Sequence, residues 1–417
     1  MNKVWAILAS LLLCSGMLKA QPTDTLRWRD VFTDPQLSAL IDTALSHNTD
    51  LRIASLHVEQ ADAALRMARL SLLPAFSVGG EGNFSKAKGS AATSEYSLPV
   101  RLQWEASLSG RFFAEKKAAE HLLWSAAETE RAVRLQVVSA VASQYYTLLI
   151  LDEQLSIQRE GVENARRTVA VMEALKEAGM QNEAAVAQAR TAWLSAAASE
   201  KTLRQQIART ESALHLLLGQ QQDIARSTTV PAALPLDFSA DYPLQSLSVR
   251  PDVKASEYAL AASLDRVGIA RSAFYPTLSI TASFNWLDML AEAVASLVQP
   301  LFNAGRNKEN LRIAEAAYEE ALATFTQTLL SAGTELRDAL IACTFSNERI
   351  ALREQEVEAA GRACEASEAL MQSGSATYLE VLTAQAAFLQ SRLSLAADRL
   401  DLLQGQINLY KALGGKK

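Results

Sequence analysis

Residues 97–111 read SLPVRLQWEASLSGR. Leu98, Val100, Leu102, Trp104, Ala106 and Leu108 alternate with Ser97, Pro99, Arg101, Gln103, Glu105 and Ser107. That period of two predicts a strand with one apolar and one polar face. At Gly110-Arg111 the period changes, and a helical pattern runs without a break to Lys176. A strand turning directly into a very long helix is an unusual junction, and the chain contains it twice.

Working outward, the sequence repeats itself. At an offset of 202, Asp50, Ala68, Arg69, Pro74 and Ser77 fall on Asp252, Ala270, Arg271, Pro276 and Ser279. At an offset of 195, Gly110, Arg111, Gly179, Val186, Ala189, Leu218 and Gly219 fall on Gly305, Arg306, Gly374, Val381, Ala384, Leu413 and Gly414. The offset changes by seven between Pro74 and Gly110, so the first copy is expected to carry the longer loop. Two similar halves predict a duplicated unit in equivalent places of one architecture.

The helical part reads as coiled coil. Leu322, Leu329, Leu336, Cys343, Ile350, Val357, Cys364 and Met371 follow at steps of seven, and the first copy answers with Val141, Leu148, Leu155, Val162 and Val169. A strict heptad seam needs a partner helix along its length. From Arg111 to Lys176 and from Arg306 to Met371 the rods would each be roughly 100 Å long. Their expected neighbours are residues 180–218, 375–413, 34–71 and 249–273. Cys343 and Cys364 are three heptads apart on one rod, too far to bridge, and read as small buried seam residues.

The other strand candidates are Leu278, Ile280, Ala282, Phe284 and Trp286, the weaker set Phe76, Val78, Gly80, Gly82 and Phe84, and a poor stretch from Ala293 to Leu301. On their own these fit two hairpins on a soluble sheet as well as a membrane barrel with a wet interior. Strand-end Trp and Phe, the duplication and the leader favour the membrane. Four strands cannot close in lipid, where open sheet edges are not tolerated, so oligomerisation follows. A trimer with 12 strands is the smallest assembly with a plausible pore.

Lys3, the apolar run Val4 to Leu13, and Leu18-Lys19-Ala20 predict a secretory signal cleaved after Ala20. Cys14 follows the bulky Leu13, a poor context for lipidation. The full chain has 40 basic and 46 acidic residues, a net charge of −6, and losing Lys3 and Lys19 takes it to −8. That balance argues against nucleic-acid binding. His47, His57, His121 and His215 are scattered, and no phosphate loop, nucleophile elbow or zinc spacing occurs. Neither an enzyme nor a cofactor is expected.

Trp28, Phe32, Asp34-Pro35, Leu37, Leu40-Ile41, Ala44-Leu45, Asn48, Asp50-Leu51 and Ala54, with the corners Leu108 to Arg111 and Gln299 to Arg306 and the motif Gly374 to Ala384, resemble the TolC-like and OprM-like outer-membrane efflux proteins. The resemblance covers nearly the whole chain after the leader. It implies a mainly α fold with a membrane β part: a homotrimer in outer-membrane lipid, its 12-stranded β-barrel continuous with a periplasmic α-barrel of packed helices. The implied role is a passive exit duct joined through a periplasmic adaptor to an inner-membrane transporter. It also implies adaptor contact at the helix tips, Gly179, Met180, Gly374 and Ser375, and a pore constriction on the helix after the second tip. Glu380 stands at the first of two family aspartates and Thr383 at the second, while Ala376 replaces the family arginine and Ala185 the first copy's acid. What carries over is one ring of Glu380 carboxylates without an ionic lock. The plain alternative for Glu380 is a solvated helix charge.

The expected layout is a signal peptide at 1–20, N-terminal helices at 21–74, a transmembrane hairpin at 75–110 and coiled-coil helices at 111–218. An equatorial linker at 219–248 leads to a helix at 249–275, a second hairpin at 276–304, and helices with the C-terminus at 305–417. The competing function is a non-conducting periplasmic scaffold or adhesin stalk, which has no use for two apolar-faced hairpins at equivalent places.

Overall fold

The computed structural model describes residues 27–85, 93–107, 109–221, 223–238, 242, 244–286, 289–298, 305–373 and 375–415. The expected leader with Cys14, the corner residues 299–304 and the tip residue Gly374 lie outside this set.

The chain begins with a single turn, α1 (Trp28–Val31), then α2 (Pro35–His47) and α3 (Thr49–Leu70). Asp34 caps α2, its carboxylate accepting from Gln36 N at 2.8 Å, with Pro35 in the first turn. The segment 34–71 is therefore two helices. Asn48 takes an extended conformation, ends α2 and caps α3 by accepting from Leu51 N, while its amide donates to Leu217 O at 2.9 Å.

Two rods dominate the molecule: α4 (Arg111–Glu177) and α7 (Arg306–Gln372), each of 67 residues and so about 100 Å long. The shorter helices α5 (Glu183–Leu218), α6 (Pro251–Ser272) and α8 (Tyr378–Ala412) supply the partners the heptads demand. Nearer the sheet, α4 packs on α3 and α6, and α6 on α7. Towards the tips, α4 packs on α5 and α8, and α8 on α7. The seam residues Val141, Leu148, Leu155, Val169, Leu336 and Cys343 are buried, whereas Leu322 and Leu329 remain open on a single chain. Burial pushes the Cys343 thiol up to about 11, which suits a small apolar packing residue and not a nucleophile.

A central knot ties the halves together. Tyr145 on α4 donates to Asp34 Oδ2 at 2.8 Å and accepts from Ser227 N at 3.0 Å, joining the α2 cap, the first rod and the linker. Gln406 on α8, fully buried, clamps Leu234 through both its N–H and its C=O. The linker's Leu234 and Leu236 enter the main core beside Leu37, Ile41, Tyr145, Leu214 and Leu403. Two buried polar side chains thus hold the linker, whose described residues have no ladder of their own.

Among the described residues, six strands lie at the far end: β1 (Ala75–Val78), β2 (Glu81–Ser85), β3 (Thr93–Ser97), β4 (Pro99–Ser107), β5 (Thr277–Asn285) and β6 (Leu290–Val298). Four form an antiparallel sheet in the order β1-β4-β5-β6, and β2 pairs with β3. The registers Val78↔Val100 and Glu81↔Ser97 continue one another, so β1-β2 and β3-β4 are the two arms of one ribbon interrupted at Gly79-Gly80. This corrects the expectation of a longer loop in the first copy: the extra residues include five further paired positions, not loop alone. The fourth strand also begins at Leu290, three residues before the stretch expected from sequence. Its alternation is hidden because the positions paired with Phe284, Ala282 and Ile280 carry only Ala291, Ala293 and Ala295, while Val294 and Val298 stand on the other face.

Candidate functional site: a one-sided sheet, two corners and two tips

The registers align apolar residues of all four strands on one face, with Val294 and Val298 of β6 exceptions on the other. Phe76 lies opposite Leu102, Leu102 opposite Ala282 and Ala282 opposite Ala293; one row along, Val78, Val100, Phe284 and Ala291 line up, then Trp104, Ile280 and Ala295. Ser77, Arg101, Gln103, Ser279, Thr281, Ser283 and Glu292 take the opposite face. A shallow apolar groove of about 300 Å³ crosses the first face between Phe76, Leu102, Phe284 and Ala293. Phe76, Val78, Trp286 and Leu297 stand exposed among the described residues. Apolar surface of this extent on one face, with the charges on the opposite face, fits hydrocarbon on the first side and water on the second. Among the described residues no helix is long and apolar enough to cross a membrane.

The corners sit where the strands hand over to the rods. Gly110 and Gly305 adopt φ +73° and +81°, each accepting the first helical bond, from Ala114 N and Glu309 N, both at 3.1 Å. A Cβ at either position would meet nothing within 4 Å, so glycine is required by the left-handed backbone and not by crowding. Arg111 bonds Glu115 at 2.8 Å and lies over Phe112, and Arg306 opens α7 on an exposed face.

The tips are about 100 Å away by helix rise. Gly179 is left-handed, and Met180 N and Gln181 N both return to Leu175 O; at the second tip Ser375 N and Ala376 N return to Leu370 O. These bonds match at the 195 offset, so the tips are duplicated to the level of single hydrogen bonds. Their caps differ. Asn182 accepts from Ala185 N, whereas Thr377 and Glu380 form a reciprocal capping box with Thr377 N donating to Glu380 Oε2 at 3.0 Å. Glu380 is exposed, as is Thr383, whose hydroxyl returns to Leu379 O. Met180 projects into solvent, and Glu183 pairs with Lys176, whose ammonium holds that carboxyl below its usual range.

Sequence reasoning named Gly179, Met180, Ser375, Glu380 and Thr383 at this end and missed Tyr378, the buried residue that joins the two tips. The spacing Thr377-x-x-Glu380 could also have been read as a capping box directly. The other unforeseen pair is His121 with Asp265, 2.7 Å apart between α4 and α6. Among the described residues there is no group of three or more side chains that could hold a metal ion.

A one-sided sheet hung on coiled-coil rods defines a subunit of a TolC-type outer-membrane channel. The chain belongs to the outer membrane efflux protein family, whose pattern matches residues 40–220 and 243–415. It is 31% identical over 407 residues to the cation efflux system protein CusC of Escherichia coli K12, spanning 93% of this chain and 88% of that protein. The toluene efflux pump outer membrane protein TtgF of Pseudomonas putida is 29% identical over 417 residues, spanning 94% and 85%. A crystal structure of CusC superposes with a TM-score of 0.88 at 30% identity, covering 94% of this chain and 95% of that one. The protein's place is accordingly the outer membrane, with its helices forming a tunnel in the periplasm.

Proposed function

We propose that three copies of this chain close into a passive exit duct, the outer-membrane part of a three-component export system, and that the chain is no enzyme. The observation carrying this is that both layers are open on the same two sides. On one side the edges are β1, α3 and α5; on the other they are β6 and α7. An unpaired strand edge is untenable in lipid, and a head-to-tail contact repeated by rotation closes a ring. The helix edges are apolar where they are bare: Ile313, Phe345 and Leu352 on α7 face outward, as do Ile53 and Met67 on α3 and Leu194 on α5. Three chains give a ring of twelve strands, wide enough for a wet interior.

The tips with Gly179, Met180, Gly374 and Ser375 are the natural seat of a periplasmic adaptor, which links the duct to an inner-membrane transporter. Glu380 and Thr383, on the first two turns of α8, form the narrow end. Relatives named for cations and for toluene share this architecture, so the duct itself selects little and the choice of cargo lies with the transporter.

The test is mass and conductance of the detergent-solubilised protein. Three times the protomer mass, together with discrete channels in planar bilayers, is the expected result. A soluble monomer, or a trimer that never conducts, would favour the scaffold reading.

A further inference from the structure

The two coiled coils of one chain meet along a ladder between α4 and α8. Its rungs are Thr147 with Gln404 at 3.0 Å, Glu153 with Arg399 at 3.5 Å and Glu160 with Arg392 at 2.6 Å. Next comes Gly161, where an added Cβ would sit 2.9 Å from a Leu389 methyl, so the helices touch closely there. Positions rise along α4 as they fall along α8, as antiparallel neighbours require. The last rung, nearest the tips, is Tyr378. It is 8% exposed and joins Val169 and Met172 of α4 and Val186 and Ala189 of α5 in one buried cluster. Its counterpart in the first copy is Glu183, which stays in solvent with Lys176. Only the second tip therefore inserts an aromatic anchor into the other coil.

The anchor has a flaw. The Tyr378 hydroxyl is buried and has no hydrogen-bond partner among the described residues. A buried hydroxyl without a partner is penalised, and the penalty vanishes once the group reaches water. Ring burial therefore favours the docked tip, while the hydroxyl favours withdrawal.

We propose that Tyr378 is a release latch between the two helix tips, docked by its ring and kept releasable by its unpartnered hydroxyl. Separation of the coils at the periplasmic end starts at this rung and is checked above by the close contact at Gly161. Tyr378 is a positioning residue: it sets how often the second tip swings away from the first. Its consequence for transport rests on the duct reading, but the latch itself does not.

The test uses the full chain, assembled in detergent, carrying Cys14→Ala and Cys364→Ala so that the wholly buried Cys343 is the remaining native thiol, and Met172→Cys as reporter. Met172 is 1% exposed beneath the tyrosine, so maleimide labelling of the new thiol reports withdrawal. Tyr378→Phe keeps the ring and removes the hydroxyl, and labelling should slow about tenfold, or about 1.4 kcal/mol. Tyr378→Ala should label at least about tenfold faster than the tyrosine protein by the same arithmetic. Channel open time in bilayers should follow the same order, Phe below Tyr below Ala. Labelling of the Phe variant as fast as or faster than the tyrosine protein would overturn the latch, and that variant alone decides if the Ala variant loses its assembly. Loss of conductance in every variant would sink the duct reading while labelling still judged the latch.

Discussion

Glu380 shows how one side chain can serve two purposes that a well-chosen pair of substitutions separates. Its carboxylate accepts from Thr377 N and so belongs to the cap of α8. It is also the acid proposed to ring the narrow end. Gln at this position preserves a capping box while Ala does not. Glu380→Gln should leave thermal stability unchanged and reduce cation preference in single-channel recordings. Glu380→Ala should additionally lower stability by about 1 kcal/mol. Unchanged reversal potentials with Gln would leave the cap as the whole role of Glu380. At the corners, Gly110→Ala and Gly305→Ala should each cost about 1–2 kcal/mol for the left-handed backbone, read as a lower unfolding temperature, with no clash to relieve.

Among the elements, the sheet gives the sharpest contrast. Thr281 and Ala282 are neighbours in β5, yet their side chains point to opposite faces. Ala282→Lys, on the apolar face, should cost about 2–4 kcal/mol near the bilayer midplane. Thr281→Lys, on the polar face, should be tolerated. The readout is the yield of assembled protein in the outer membrane; equal yields would mean that the apolar face does not meet lipid. The rods were legible from sequence because a seven-residue repeat leaves few alternatives over 67 positions. The break at Asn48 was hidden because its cause is tertiary: Asn48 reaches Leu217, 169 residues away, to fix the bend. Likewise β6 was blurred by its alanines, and the inward placement of Tyr378 depends on a neighbouring coil that no local pattern reveals.

For the molecule as a whole, an ion cluster closes the second half. Arg250, with its side chain buried, bonds Asp252 at 2.7 Å, Glu335 at 2.7 Å and the C=O of Ala412, so it joins the start of α6, the middle of α7 and the end of α8. Burial pushes the Asp252 carboxyl up, but the bonds and charge of Arg250 outweigh it and the net displacement is downward. A carboxylate depressed in the folded state stabilises fully above its unfolded pKa of about 3.9 and loses that contribution as pH falls through its folded value. Thermal stability should therefore fall on acidification below about pH 4, and Asp252→Asn should flatten part of that fall while lowering stability at neutral pH. An identical slope in the variant would remove Asp252 from the acid response.

The uneven hairpins have a consequence at the cell surface. The first ribbon continues for five pairs beyond the point where its neighbour β5 ends, about 17 Å of extra height at strand rise. In the proposed trimer, tall and short hairpins would alternate around the axis and give the mouth a battlement outline, three merlons with three gaps. A phage tail fibre, an antibody or a bulky solute arriving from outside would first strike the merlons, with the exposed Phe84 and Tyr96 on their flanks, and would find the way in between them.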